Sequence, residues 1–274
     1  MRTAIVQDFI KAGFCVSSPV DERVVDPIVP GEIAIPVGHN LETTLQQAVA
    51  DTDFVVVIAP ECDGILLRCS EWFADHDAKR LFPSHEFIEL CSDKKKTLQI
   101  VAENGVATPS AVATHSGRFV IKPNFGCGSE GIRVVEDGSD LSQFRESAEW
   151  VVEPFIDGVP ISVSVISRAS PKTSPDNSPL VLRPLRQTFD TEPIGAFVTA
   201  IDDLNDRQIE LGRAAARQIC NALPPTVGYF GIDMVVDEER AVVIEVNPRL
   251  TDSYCTLRKV HEFNLVEKML PHKM

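Results

Sequence analysis

The sequence lacks the features of membrane-spanning, secreted and zinc-binding proteins. It contains no run of about 18 apolar residues that could cross a membrane. Charged residues interrupt the apolar pattern of the first segment, MRTAIVQDFIKAGF, which therefore differs from a secretory signal. The 7 cysteines are scattered without a CxxC pair, which argues against a zinc site or a disulfide framework. We therefore expect a protein of the reducing cytoplasm with no membrane contact.

Positive charge is also scarce. The chain has 26 Lys and Arg against 40 Asp and Glu, which gives a formal net charge of −14. This balance argues against a nucleic-acid partner, because a phosphate backbone attracts a basic surface. An anionic small molecule would have to be bound by Lys and Arg placed together locally, against the overall field. With 274 residues, 44% of them hydrophobic, the chain is long enough for two globular domains.

The hydrophobic pattern predicts a mixture of helices and strands. Apolar residues at helical spacing predict an opening helix that ends at Gly13, followed by a strand at 14–16. A doubly wound α/β unit usually opens with a strand, so either that strand is absent or the natural start lies upstream. The apolar run at 53–59 predicts a buried parallel strand, and the Ser/Pro-rich segment 168–179 predicts a mobile loop. Further helices are predicted at 42–51, 65–74, 92–105, 140–148 and 202–223, and further strands at 118–122, 132–135, 151–158, 161–167, 180–189, 229–236 and 241–246.

Two acidic residues follow the predicted strand at 53–59. Glu61 and Asp63 lie in the loop that connects this strand to the next helix. Ligands of open α/β sheets bind beyond the carboxyl ends of the strands, so both residues are candidates for a site. The alternative is an ordinary solvated loop.

A lysine and a glycine-rich loop form the first candidate for phosphate binding. Lys122 ends a predicted strand and is expected to face the loop that contains Gly126, Gly128 and Gly131. Backbone N–H groups and one ammonium group together suit a phosphate. The pattern differs from a P-loop, because it lacks the GK[ST] ending and no helix follows. An ordinary glycine-rich hairpin tip is the alternative.

The closing hairpin carries the candidate metal ligands. Glu245 and Asn247 lie two residues apart on a strand that Pro248 ends, so both side chains point to one face. A carboxylate and an amide carbonyl are hard oxygen ligands that suit Mg²⁺. Asp233 lies opposite Glu245 if the hairpin loop has an odd number of residues, such as 238–240, or if a strand contains a bulge. Arg249 adds a cation at the same edge.

Four stretches resemble, in order, the ATP-grasp superfamily of ATP-dependent ligases. They are DKKKT, VIKPNFGCGSEG, VVEPFIDG and GIDMVV followed by VIEVNPR, and they cover roughly residues 92–255. The resemblance implies an α/β protein of α+β character in which two α+β subdomains clasp ATP. Residues 92–152 would form the small subdomain with the glycine-rich loop, and 153–274 the large subdomain with the metal hairpin. A short Rossmann-like domain, residues 1–91, would precede them and could lack its first strand.

The resemblance also implies roles for individual residues. ATP would be bound by Lys94, Lys122, Gly126, Gly128, Ser129, Glu153, Phe155 and Ile156, with the two lysines on the phosphates and Glu153, Phe155 and Ile156 around adenine. Mg²⁺, or Mn²⁺ in its place, would be bound by Asp233, Glu245 and Asn247. Arg249 and Lys122 would be catalytic and would stabilise the transferred phosphoryl group. No acid follows Gly158 where many ATP-grasp ligases bind ribose, so Asp157 or Ser162 would have to substitute.

Four shorter stretches resemble the branch of this superfamily that contains tyramine–L-glutamate ligase, an enzyme of cofactor biosynthesis. They are APECDG, FIDGVPISVSVI, LRPLRQTF and NPRLTDSY. This narrower resemblance implies a carboxylate–amine ligase that forms an amide through an acyl phosphate, with glutamate and an aromatic amine such as tyramine as substrates. An ATP-grasp ligase for other amino acids or amines, and a non-catalytic ATP-binding regulatory protein, are the alternatives. A homo-oligomer is compatible with the sequence, which leaves the oligomeric state open.

The substrate-binding candidates come from two segments. They are Arg183, Arg186, Gln187, Thr251, Ser253 and Tyr254. Arg183 and Arg186 lie three residues apart on a predicted strand, so at most one of them should point into a site. Surface charge is the alternative for both arginines.

Overall fold

The computed structural model describes residues 1–21, 23, 28–38, 40–73, 79–111, 117–136, 141–168, 178–189 and 197–271. Within these ranges, no helix has both the length and the apolar character needed to span a membrane. All the cysteines lie within them and carry free thiols.

The N-terminal region consists of short elements around two small parallel pairings. Its elements are α1 (Arg2–Lys11), β1 (Val16–Asp21), β2 (Glu32–Val37), α2 (Leu41–Ala50), β3 (Phe54–Val55), a 3₁₀ turn (Cys62–Gly64), α3 (Ile65–Trp72) and β4 (Lys79–Arg80). Strand β1 pairs with β2, and β3 pairs with β4. The opening helix is confirmed, whereas the predicted strand at 14–16 begins only at Val16. The predicted strand at 53–59 is paired only over Phe54–Val55, although Val57 is also buried. An apolar run indicates that its residues are buried, but it does not indicate which of them pair with a neighbouring strand.

The middle region is a three-stranded antiparallel sheet preceded by two helices. Its elements are α4 (His85–Ser92), α5 (Lys94–Glu103), a 3₁₀ turn (Pro109–Ala111), β5 (Arg118–Pro123), β6 (Arg133–Glu136), α6 (Ser142–Arg145) and β7 (Trp150–Pro154). The strand order is β6-β5-β7. The helix predicted at 92–105, with Ser92 or Asp93 as its N-cap, is confirmed as α5: the Asp93 side chain accepts a hydrogen bond from the Lys96 amide and caps the helix, and α4 ends directly before it.

The C-terminal region is a larger antiparallel sheet with a long helix on one face. Its elements are β8 (Val159–Ser167), β9 (Leu180–Val181), β10 (Leu185–Phe189), β11 (Phe197–Ile201), α7 (Asp206–Ala222), β12 (Gly228–Val236), β13 (Ala241–Asn247), α8 (Tyr254–Val260) and α9 (Leu265–Met269). The strand order is β11-β10-β8-β12-β13, and β9 also pairs with β8. The predicted strand at 180–189 is interrupted at Pro184, which cannot donate to the ladder. The predicted mobile loop lies largely outside the described residues, since 169–177 are not among them.

Helix α7 fixes which face of this sheet can carry a site. Ile232 and Met234 of β12 belong to the same hydrophobic core as Ile219 of α7. Gly212 of α7 lies so close to β8 that an added Cβ would be 2.8 Å from the Ile161 Cδ1 atom. Because side chains alternate along a strand, Asp233 points to the opposite face.

Candidate active site

A β-bulge in the closing hairpin brings two carboxylates to the same face of the sheet. Asp233 is paired directly with Glu245, as predicted. The loop of residues 237–240 has an even number of residues, so the predicted three-residue loop is wrong and the bulge alternative is correct. The register shifts between Asp233 and Met234, and Ile244 is the extra residue on β13. The bulge therefore determines where Glu245 points.

Asp233 is a half-buried carboxylate with an amide donor at each oxygen. Gln187 Nε2 donates to Oδ1 at 3.1 Å, and Asn247 Nδ2 donates to Oδ2 at 3.0 Å. Burial, followed by the charge of Glu245, raises the pKa of Asp233 to about 7, although Asn247 and Arg249 act in the opposite direction. A divalent cation would remove the repulsion between the two carboxylates.

The donor set of the hairpin suits a magnesium ion that arrives with phosphates. Asp233, Glu245 and Asn247 supply two carboxylates and an amide carbonyl. Across the described ranges, no cluster of three or more His, Cys, Asp or Glu side chains is arranged to hold a metal. Mg²⁺ typically takes one or two protein carboxylates and completes its shell with water and substrate phosphates. The hairpin fits that mode of binding and not a complete protein cage.

Lys122 forms a buried ion pair with Glu153. The two residues lie on neighbouring strands β5 and β7, and Lys122 Nζ is 2.5 Å from Glu153 Oε1. Lys122 Nζ also donates to the Ile244 carbonyl at 3.0 Å, at the bulge of β13. Burial raises the pKa of Glu153, and Lys122 opposes that shift. The expectation that Lys122 faces the glycine-rich loop is therefore wrong, and the carboxylate expected at adenine is engaged by Lys122.

Lys94 is the lysine that contacts the glycine-rich loop. It begins α5, and its Nζ donates to the Gly126 carbonyl at 2.6 Å and lies 3.4 Å from Glu245 Oε2. Asn124 anchors the start of the loop, because its side chain accepts from the Lys95 amide and donates to Asp93. The loop is thus placed beside Glu245.

The rest of the loop has an unusual backbone. Gly128, Ser129 and Gly131 all have positive φ, and Phe125 is 54% exposed. Glycine adopts such angles without strain, whereas a positive φ is uncommon for serine. Phe155 and Ile156, two of the candidates for binding adenine, directly follow strand β7. Phe155 donates its backbone N–H to the Arg118 carbonyl at 2.9 Å, and both Phe155 and Ile156 are half-buried.

Arg249 forms an ion pair with Glu61 of the N-terminal region. Arg249 Nε donates to Glu61 Oε2 at 2.6 Å, and Nη1 donates to the Leu250 carbonyl at 3.2 Å. Glu61 is only 6% exposed, so the solvated-loop alternative is wrong for this residue. Burial would lower the pKa of Arg249, but Glu61, Cys127 and Glu245 together raise it. Asp63, the other acidic candidate, is exposed.

A cysteine pair also joins the N-terminal loop to the glycine-rich loop. Cys62 Sγ and Cys127 Sγ are 3.6 Å apart. Burial, followed by a hydrogen bond with Cys127, raises the pKa of Cys62. No sequence signal pointed to this contact, because nothing in the spacing of the two cysteines relates them.

The candidate residues after Arg249 lie in the core. The Tyr254 hydroxyl donates to Asp8 Oδ2 at 2.9 Å, and Tyr254 is 0% exposed. Thr251 and Ser253 are also buried, and Thr251 Oγ1 is 3.2 Å from the Tyr229 hydroxyl. The expectation that these side chains bind substrate is therefore wrong, because the chain turns inward after Pro248 and packs them beneath the hairpin.

Of the candidates at 183–187, only Gln187 reaches the site. Arg183 Nε is 2.5 Å from Asp202 Oδ1, and Arg186 pairs with Asp203 through two of its nitrogens. Both pairs are partly exposed. The surface-charge alternative describes the arginines correctly, whereas Gln187 contacts Asp233.

The cations of the site are each held by a carboxylate. The pairs are Lys122 with Glu153, Lys94 with Glu245, and Arg249 with Glu61. Lys122 also contacts the Ile244 carbonyl, Lys94 contacts Glu245, and Arg249 lies just after β13, so all three pairs lie around the end of this strand. A cluster of cations beside two neighbouring carboxylates can hold a polyphosphate chelated to a divalent ion.

Comparison with known protein families agrees with this chemistry. A profile described as an ATP-grasp domain matches residues 91–253, and one described as a pre ATP-grasp 3 domain matches residues 16–86. The first match alone covers more than half of the chain.

The individual relatives have low sequence identity to this chain. Tyramine–L-glutamate ligase of Methanocaldococcus jannaschii is 28% identical over 207 residues, which is 75% of this chain and 58% of that protein. D-alanine–D-alanine ligase of Pediococcus pentosaceus is 27% identical over 179 residues, or 58% of this chain and 49% of that one. A solved ATP-grasp superfamily protein from Archaeoglobus fulgidus superimposes with a TM-score of 0.73 at 18% identity, covering 97% of this chain and 79% of that chain. The chain thus spans about three-fifths of the Methanocaldococcus jannaschii ligase.

Proposed function

The chain belongs to the ATP-grasp family, and we propose that it is an ATP-dependent ligase that joins a carboxylic acid to an amine. The observation that carries this proposal is the pairing of Asp233 with Glu245 beside three cations, Lys94, Lys122 and Arg249. A module that only binds nucleotide would not need two neighbouring carboxylates that repel one another.

The proposed reaction has two steps. The substrate carboxylate attacks the γ-phosphorus of ATP in line, which yields an acyl phosphate and ADP. The amine then attacks the acyl carbon, and the C–O bond to phosphate breaks, which yields the amide, inorganic phosphate and a proton. No covalent intermediate with the protein is required. Cys127 and Ser129 in the loop are therefore assigned to packing or phosphate contact.

The residues of the centre divide this work between them. Lys94 and Lys122 would bind the phosphates, and Arg249 would stabilise charge on the transferred group. Asp233, Glu245 and Asn247 would hold Mg²⁺, which when bound neutralises charge on the phosphate oxygens. The contact of Lys94 with Glu245 is loose, at 3.4 Å, so Lys94 can exchange this carboxylate for a phosphate.

The glycine-rich loop would protect the intermediate. An acyl phosphate hydrolyses in water, so a ligase must exclude water between its two steps. The loop around Gly126 and Gly128 lies beside Lys94, where it can cover the phosphates.

We further propose glutamate as the acid and an aromatic amine such as tyramine as the acceptor. Support comes from the similarity to tyramine–L-glutamate ligase, which extends over 75% of this chain. The subdomain boundaries at 92–152 and 153–274 remain predictions, as do the cytoplasmic location and a homo-oligomeric state.

The test is ADP formation with a panel of substrates. The full chain would be assayed with ATP, MgCl₂ and pairs drawn from glutamate, aspartate and other amino acids and from tyramine, phenethylamine and aliphatic amines. We expect ADP release that requires both members of one pair, and mass spectrometry should detect the corresponding amide. Hydroxylamine in place of the amine should trap the acyl phosphate as a hydroxamate.

Nucleotide binding provides the control for this assay. If ATP binds but no acid–amine pair stimulates ADP formation, the ligase proposal fails and a regulatory ATP-binding role replaces it. If glutamate with an aliphatic amine or another amino acid is the active pair, only the assignment of tyramine fails.

A further inference from the structure

The ion pair of Arg249 with Glu61 joins two distant parts of the chain. The residues are 188 positions apart, and Glu61 lies in the N-terminal region whereas Arg249 follows the metal hairpin. The side chain of Glu61 is 5% exposed and that of Arg249 is 15% exposed. Removing one partner from such a buried pair leaves the other charge without compensation.

The guanidinium group of Arg249 is held on two of its sides. Nε donates to Glu61, and Nη1 donates to the Leu250 carbonyl. In the described part of the chain, Nη2 has no hydrogen-bond partner. A planar guanidinium fixed through two nitrogens has a defined orientation, and its third nitrogen is left for another acceptor.

The loop that carries Glu61 is itself firmly held. The Leu66 amide donates to the Pro60 carbonyl at 3.0 Å, and Arg68 Nη1 donates to the Asp63 carbonyl at 2.6 Å. Asp63 and Gly64 both have positive φ, which turns the chain sharply after Glu61. Glu61 therefore lies at the start of a turn that hydrogen bonds hold closed.

We propose that Glu61 is the positioning residue of Arg249, and that the N-terminal region thereby supplies a residue without which the centre is incomplete. This inference rests on the proposed ligase function. Glu61 holds the guanidinium so that Nη2 meets the transferred phosphoryl group. Its charge also prevents Arg249 from turning to Glu245, the nearby carboxylate that is needed for the metal. Since Glu61 acts through Arg249, it affects the transition state more than nucleotide binding.

The test compares Glu61→Gln, Glu61→Asp and, as a matched control, Glu71→Gln. Glu71 is an exposed carboxylate on α3 in the same region. For Glu61→Gln we expect kcat to fall roughly 10- to 100-fold, the range of a misplaced catalytic group. KM for ATP and the affinity for the non-hydrolysable analogue AMP-PNP should remain close to wild type. Glu61→Asp should recover part of kcat, because it keeps the charge, and Glu71→Gln should match wild type.

The outcomes separate this inference from the proposed function. If wild type shows no substrate-dependent turnover, the proposed function fails. If wild type turns over and Glu61→Gln has the same kcat, the positioning role alone is overturned. Loss of AMP-PNP affinity in parallel with kcat would also overturn it, since a purely structural role predicts that both decline together. Thermal melting of each variant shows whether it is folded. If Glu61→Gln is unfolded, the same comparison is made on Glu61→Asp: a reduced kcat with unchanged AMP-PNP affinity supports the positioning role, and a parallel loss of both overturns it.

Discussion

The metal hairpin and the glycine-rich loop lie on opposite sides of the same centre and are built in opposite ways. Asp233, Glu245 and Asn247 belong to a hairpin whose neighbouring residues are core, with Ile232 and Val243 both 0% exposed. The glycine-rich loop, residues 124–131, has Phe125 at 54% exposure and several residues at positive φ. The hairpin is held in place by backbone hydrogen bonds within a sheet, whereas the loop is held by a few side-chain contacts.

This difference shows how the work of the site is divided. The hairpin ligands are placed by backbone register, so their geometry persists as long as the sheet is folded. The loop is attached through Lys94 to the Gly126 carbonyl and through the thiol contact of Cys62 with Cys127. Segments with few buried contacts open at low free-energy cost. The hairpin should therefore control chemistry, and the loop should control access and nucleotide affinity.

The largest effect is expected from Glu245→Gln, which removes a charge from the hairpin side. Glutamine has the same shape but binds Mg²⁺ weakly, and Lys94 loses its carboxylate partner. We expect kcat for ADP formation to fall more than about 100-fold, beyond the usual effect of residues that only support metal ligands. The melting temperature should stay the same or rise, because Glu245 no longer repels Asp233.

Glu238→Gln is the matched control for that variant. Glu238 is exposed at the tip of the same hairpin, and only its backbone carbonyl contacts Arg207. It should retain wild-type activity. Full activity in Glu245→Gln would refute the metal assignment and remove the contrast between the two sides.

An intermediate effect is expected from pH on metal affinity. The pKa of Asp233 is raised to about 7, so in the metal-free protein it is protonated below that pH and must lose its proton to bind a cation. Mn²⁺ affinity without nucleotide should therefore rise about 10-fold between pH 6 and pH 8, as expected for one competing proton. Electron paramagnetic resonance of free Mn²⁺ measures this directly and avoids the titration of ATP itself.

The groups that face Asp233 make this prediction specific. Glu245 raises its pKa, and Ser162, Asn247 and Arg249 lower it. Glu245→Gln should bind Mn²⁺ more weakly and shift the pH dependence to lower pH, because the repulsion is gone. Glu238→Gln should keep the wild-type profile. A flat profile in wild type would show that a proton does not compete at the hairpin.

Local patterns predicted the mixture of helices and strands, and the resemblance of four stretches predicted the ATP-grasp fold, which is confirmed. The pairing of Asp233 with Glu245 was predicted on the condition of an odd loop or a bulge, and the bulge satisfies it. Most helices and strands lie near their predicted positions. Helix α4 and strand β11 were not predicted. Helix α4 directly adjoins α5 at Asp93, and no element was predicted between 189 and 202, where β11 lies.

Contacts between distant segments could not be predicted. Lys122 and Lys94 were both identified, but the glycine-rich loop was assigned to Lys122, whereas Lys94 contacts it, because the local sequence does not show which lysine the fold brings to the loop. Tyr254 looked like a substrate ligand because it follows Arg249, whereas Asp8 draws it into the core from 246 positions away. The role of Glu61 depended in the same way on a partner that no local pattern reveals.

The smallest effect is expected on the loop side, from Gly128→Ala compared with Gly105→Ala. Gly128 has φ +67° and Gly105 has φ +78°, and a Cβ at either position would meet nothing within 4 Å. Alanine therefore costs about 1 kcal/mol of backbone strain at both positions. The two variants should show similar small losses in melting temperature.

Only the loop variant should affect nucleotide binding. Gly105 follows the C-terminal end of α5, opposite the end that carries Lys94, whereas Gly128 lies in the loop that would cover the phosphates. Strain at Gly128 displaces the neighbouring N–H groups, so KM for ATP should rise several-fold while kcat with saturating ATP changes little. The opposite split, with kcat reduced and KM unchanged, would mean that the loop takes part in the chemical step. Equal KM values in the two variants would mean that the loop does not touch ATP, and Lys94 and Lys122 would then bind the phosphates without it.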